Sequence, residues 1–279
     1  YTHNEASYNY GPYFALTNWM GDDIFFAGTG VGDCVEQRQM HQFVYGDDHM
    51  DVRWAYATFY SSILKCNYVI TNFTEERLGT LSETMKRCVA EARAMRAFNY
   101  FLLGIYWGTP PIVETVLDGS VNPGNAESQE YVLNWVAEEA QKAADDLPWR
   151  NGPNDYEGAV RITKGFALAI KGKALLWNGK YNEAKEAFEQ IVKSGNYDLL
   201  PSDKIGSILH ADSKGSCESV FEFNFDGNNF GDGDNDGDYR GIKRGGWNDH
   251  NTFTWRAEYM NRTNLEDSSL YIGGWGWIN

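Results

Sequence analysis

The chain is 279 residues long, 42% hydrophobic and 23% charged, with a formal net charge of −15. That composition suits a folded domain with one sizeable core or two modest ones, while the acidity argues against nucleic acid or anionic membrane surfaces as partners. Ten Trp, seventeen Tyr and fifteen Phe bring the aromatic share to 15%. Rings in that number, with few cations, suit neutral ligands that stack, sugars first among them, although most of the rings are expected in the core.

No run of about 18 apolar residues occurs, so no segment reads as a membrane-crossing helix. The chain opens on Tyr1-Thr2-His3-Asn4, without Met or a signal peptide, and reads as a mature or trimmed piece. Cys34, Cys66, Cys88 and Cys217 show neither a C-x-x-C pair nor a His at zinc spacing. Cys66 and Cys88 fall within helical patterns, where free buried thiols are expected rather than a disulfide.

In chain order, residues 1–51 read as the end of an N-terminal helix followed by a long loop, with Thr17 to Asp51 rich in Gly and Asp. Residues 52–201 carry five helical patterns. The first spans Trp54 to Phe73, with Tyr56, Tyr60, Ile63, Leu64, Asn67 and Ile70 along one face. The second spans Ser82 to Tyr106, with Ser82 as N-cap, and Gly108 and Pro110-Pro111 stop it. The third lies near Glu127 to Leu147 and ends at Pro148; the fourth and fifth are Arg161 to Trp177 and Asn182 to Ser194.

That last pair places Leu168, Gly172, Leu175, Gly179, Tyr181, Ala184 and Phe188 where a tetratricopeptide unit has its packing residues. Gly172 and Ala184 are small because the two helices cross closely, and Phe188 fills the space between them. One such unit cannot bury its apolar face alone, so the helices must stack as antiparallel pairs. In residues 202–279, Cys217 to Phe225 alternates apolar and polar residues and predicts a short strand. A Gly-, Asp-, Asn- and Trp-rich region with almost no periodicity follows.

The helix reading Glu91-Ala92-Arg93-Ala94-Met95-Arg96-Ala97-Phe98-Asn99-Tyr100-Phe101, with Leu103, Tyr106, Gly108 and Pro110 after it, resembles the signature of the SusD/RagB family. Trp19 to Asp23, Tyr60 to Ile70, Arg161 to Leu168, and Gly179-Lys180-Tyr181 through Pro201 are similar to further segments of that family, in its order. The resemblance implies a mainly α fold: a tetratricopeptide-like α/α superhelix with a long irregular loop region and a few short strands. It further implies a non-enzymatic, surface-exposed lipoprotein of a Bacteroidetes outer membrane, which captures oligosaccharides for a SusC-like TonB-dependent transporter. The lipid-bearing cysteine and the long second lobe of the family are not seen, so the chain reads as about half of a member. A peptide-binding RagB-like member, an all-helical glycoside hydrolase and a tetratricopeptide adaptor stay open as alternatives.

Among candidate sites, Glu91, Arg93 and Arg96 read as helix-face ion pairing, with Arg87 four residues before Glu91, rather than acid–base chemistry. His3, His41, His49, His210 and His250 lack motif partners and metal spacing, and no cofactor is expected. Asp232, Asp234 and Asp236 sit at calcium-loop spacing, but Lys243 stands where the bidentate Glu is needed, which excludes a full EF-hand. The simpler reading is a solvated acidic loop; a partial calcium site completed by distant residues is the alternative. The ligand candidates are aromatic and polar residues in irregular stretches, because loops run over the surface. They are Trp247, Asn248, Asp249, Trp255, Arg256, Tyr239, Trp275 and Trp277, with Tyr45 and Trp54 near the start of the stack.

Overall fold

The computed structural model describes residues 17, 20, 21, 24–26, 35–208, 213–223, 237–239, 242–244 and 276–278. The chain divides into two compact units, Tyr1–Thr58 with Phe225–Asn279, and Phe59–Asn224. In the first, strand β1 (Ile24–Phe26) precedes helix α1 (Val35–His41), and helix α2 (Met50–Asn72) begins there and continues into the second unit.

Helices α3 (Glu75–Leu78), α4 (Glu83–Trp107), α5 (Gln129–Asp146), α6 (Tyr156–Val160), α7 (Lys164–Trp177) and α8 (Tyr181–Lys193) complete the second unit. Three short strands, β2 (Gly237–Tyr239), β3 (Ile242–Arg244) and β4 (Gly276–Ile278), follow. β2 and β3 pair antiparallel, as do β1 and β4, the latter with Phe25 opposite Trp277. This is the mainly α, tetratricopeptide-like architecture the sequence implies, with a few short strands. Among the described residues, no helix is long and apolar enough to cross a membrane.

The helix boundaries follow their caps. Ser82 accepts from the Met85 amide and Ser128 from the Tyr131 amide, each satisfying a first-turn donor that has no partner within its helix. α4 ends at Gly108, whose φ of 74° suits a residue without Cβ.

α5 packs between α4 and α7, and α7 packs on α8. Arg93 bonds Glu139 while Gln129 bonds the Gly104 carbonyl, and Lys171 bonds Gln141 while Asn178 bonds Asn134; partner numbers fall along one helix as they rise along the other, so the neighbouring helices are antiparallel. α5 presents Val132, Leu133, Val136, Ala140, Ala143 and Ala144 to this core at helical spacing. At the α7–α8 crossing, a Cβ on Gly172 would stand 2.5 Å from the Phe188 ring. Glycine there permits the close approach expected of a tetratricopeptide hairpin.

Three expectations need correction. The buried ridge of α2 is Ala55, Phe59, Ile63, Cys66 and Asn67, while Leu64 is 43% exposed. The expected stripe is rotated by about one residue, because Phe59 and not Tyr60 anchors it. Cys88 is exposed, whereas Cys66 is buried as expected; Cys66, Cys88 and Cys217 are all free thiols.

Residues 217–223 form no strand. Their alternation is real, but the backbone is held by a buried arginine and a single carbonyl instead of a ladder. Arg150, 1% exposed, donates to the carbonyls of Gly215, Ser216 and Ser219 as well as Pro153 and Asp155. The Glu222 amide donates to the Ala159 carbonyl at 2.8 Å, and Phe221 stacks on Phe166 with centroids 4.8 Å apart.

Candidate functional site

The signature helix α4 builds a clamp. Arg96, 2% exposed, donates to Asn67 Oδ1 (2.8 Å), to the Glu114 carbonyl (2.9 Å) and to Glu139. Glu139 is 1% exposed and also accepts from Arg93 at 3.1 Å. Asn67 donates to the carbonyls of Val113 and Thr115; Tyr60 donates to that of Pro111 at 2.6 Å; and the Tyr100 hydroxyl accepts from the Val113 amide. Trp135 covers the guanidinium of Arg96 at 5.5 Å and meets Tyr100 edge-on at 4.9 Å.

Tyr60, Asn67, Arg96 and Tyr100, all in segments that carry the family resemblance, therefore act together to hold the chain leaving α4 across Pro111–Thr115. Glu91 pairs with Arg87 at 3.0 Å, as its spacing implies, and also with Arg161 at 2.8 Å. Glu139 and Arg150 were missed by sequence reasoning. For Glu139 a signal existed, a lone acid on the apolar face of α5. For Arg150 none did.

Local electrostatics fit a scaffold. Burial pushes the Cys66 thiol up to about 11, so it stays protonated and inert. Burial also raises Tyr197, which shares a 3.2 Å hydrogen bond with Thr163. Asp155 lies below the usual carboxylate range because it accepts from the Asn151 and Gly158 amides, capping α6. Among the described residues, no group of three or more His, Cys, Asp or Glu side chains is placed to hold a metal ion.

Of the ligand candidates, Tyr45 and Trp54 are described with their side chains. Tyr45 stands in a loop whose residues 42–48 are all exposed. Its ring is 38% exposed and meets the ring of His49 at 5.5 Å and 66°. His49 is buried, with Nε2 3.0 Å from the Glu36 carbonyl oxygen, which can only accept, so Nε2 carries the proton. Trp54 lies half-buried in the first turns of α2. Tyr239 falls in β2 opposite Ile242, and Trp277 in β4 opposite Phe25, which puts them in different sheets. Lys243, at the twelfth calcium-loop position, pairs in register with Asp238. Trp247, Asn248, Asp249, Trp255, Arg256 and Trp275 lie outside the described residues, as do Asp232, Asp234 and Asp236.

An apolar groove of about 540 Å³ opens along α7 and α8, lined chiefly by Leu176, Tyr181, Phe188 and Val192. Tyr181 and Val192 are 69% and 75% exposed.

The helical stack is shared with known proteins. No family model matches the chain. A SusD-like protein of Bacteroides ovatus is 28% identical over 169 residues, which is 55% of this chain and 29% of the relative's own length. A surface glycan-binding protein A from Bacteroides fluxus superposes over 99% of the chain and 58% of its own, with a TM-score of 0.72 at 18% identity. A laminarin-binding SusD-like protein covers 75% of the chain and 48% of its own, with a TM-score of 0.60 at 22% identity. By sequence the chain is similar to SusD-like proteins over about half of its length, and its fold is that of SusD-like structures. The chain spans less than a third of the length of the curated relatives it matches.

Proposed function

We propose that this chain forms part of a non-enzymatic surface glycan-binding protein, one that captures oligosaccharides and hands them to a SusC-like TonB-dependent transporter at the outer membrane. The observation that carries the reading is the exposed aromatic loop bearing Tyr45, on a chain that also carries a SusD-like helical stack. Stacking rings supply the apolar contact and neighbouring carboxylates and amides take the sugar hydroxyls. The aromatic residues Trp247, Trp255, Trp275 and Trp277, with Tyr239, Asn248, Asp249 and Arg256, belong to the same proposal. So does a calcium ion at Asp232, Asp234 and Asp236, acting as a brace for their loop.

Native affinity gels containing neutral soluble polysaccharides, laminarin among them, test the reading. Retardation on at least one of them is expected, weakened by Trp247→Ala or Trp255→Ala. No retardation on any polysaccharide overturns it, and sustained release of reducing ends would assign the chain to the hydrolases instead. A peptide ligand is the second reading, favoured by the apolar groove along α7 and α8. Saturable binding of apolar peptides that Val192→Asp abolishes would support it.

A further inference from the structure

Phe43 holds a conformation that ordinary side chains avoid, and it does so at the surface. Helix α1 closes with the Val44 amide donating to the Gln39 carbonyl at 2.9 Å and the Phe43 amide donating to the Met40 carbonyl at 3.0 Å. This is the six-to-one and five-to-two bonding of a Schellman ending, in which Phe43 takes the left-handed position that glycine usually fills. Its φ is 57°, the one positive value among the described residues other than glycine. A bulky residue pays conformational strain there that glycine avoids. Burial does not repay that strain, because Phe43 is 65% exposed and Val44, beside it, 61%. Strained backbone of this kind concentrates where a side chain is presented to a ligand.

Around it, the chemistry suits one class of ligand. Tyr45 stands two residues on, its ring set edge-on against buried His49. Asp47 and Asp48, both exposed, offer carboxylate acceptors on the same loop. Two exposed rings with acceptors and no cation in residues 42–48, on a chain of net charge −15, match a neutral ligand with CH-rich faces and many hydroxyls.

We propose that Phe43 is a saccharide-stacking residue, which the left-handed ending of α1 holds out to solvent beside Tyr45. This rests on the glycan-binding reading and adds to it a contact residue outside the Trp-rich region.

The test is Phe43→Gly in the 279-residue chain, with affinity read on whichever neutral polysaccharide retards the unsubstituted protein most, and melting temperature read alongside. Glycine removes the ring and the strain together. The expected result is a loss of affinity of about fivefold or more, with a melting temperature unchanged or raised; Phe43→Tyr retains binding. Affinity within twofold of the unsubstituted protein overturns this inference while leaving glycan binding intact. A lowered melting temperature for Phe43→Gly overturns it too, by making the ring structural. If no polysaccharide binds the unsubstituted chain, the glycan reading and this inference both fall.

Discussion

Arg96 and Glu139 face each other at 2% and 1% exposure, joined by Arg93 at the edge and covered by Trp135. Replacing such a pair with well-packed apolar residues is often neutral, whereas removing one partner strands a buried charge. Glu139→Ala is therefore expected to destabilise the fold by about 3–5 kcal/mol, read as a lowered urea midpoint at unchanged slope. Arg96→Met combined with Glu139→Leu is expected to recover most of that loss, and a double variant as unstable as the single one would show that the charges themselves hold the helices. At this scale the sequence was legible only at short range. The Arg87–Glu91 pair lies four residues apart on one helix. Glu139 and Arg96 are 43 residues apart, and nothing in either neighbourhood names the partner.

The α7–α8 hairpin is the element most fully written into the chain, because Gly172 and Phe188 meet across a two-helix crossing whose spacing is local. Gly172→Ala forces a methyl to within 2.5 Å of the Phe188 ring. The expected cost is about 1–3 kcal/mol of overpacking, seen in thermal melts, and Phe188→Leu in the same chain should recover part of it. No loss from Gly172→Ala would mean that the crossing is looser than the ring position implies. The segment 217–223 failed as a strand for a related reason. Period-two alternation says which residues turn inward, but a strand also needs a neighbouring edge. Here Arg150 and the Ala159 carbonyl satisfy the backbone instead. In α2 the period was right and the phase was not, since several aromatics compete to define the buried face.

At the scale of the whole chain, a net charge of −15 sets a field that any ligand must enter. Neutral polysaccharides are expected to retard the protein more than anionic ones of similar backbone at low salt, with the gap narrowing as salt rises toward about 0.5 M. Stronger retention on anionic polymers, lost on adding salt, would point to a local cationic site that the net charge conceals. The sequence by itself determined what depends on neighbours along the chain. Helix positions follow from periodicity and caps, the tetratricopeptide hairpin from its small residues, and the family resemblance from motif order. Only the tertiary structure decided that Tyr60, Asn67, Arg96 and Tyr100 converge on one exit segment, that Arg150 replaces a strand partner, and that Phe43 sits left-handed at a helix end. Those outcomes join residues tens of positions apart, or place a bulky side chain where local preference favours glycine. The long-range contacts become favourable only once packing has brought the partners together, and local preference carries no record of that.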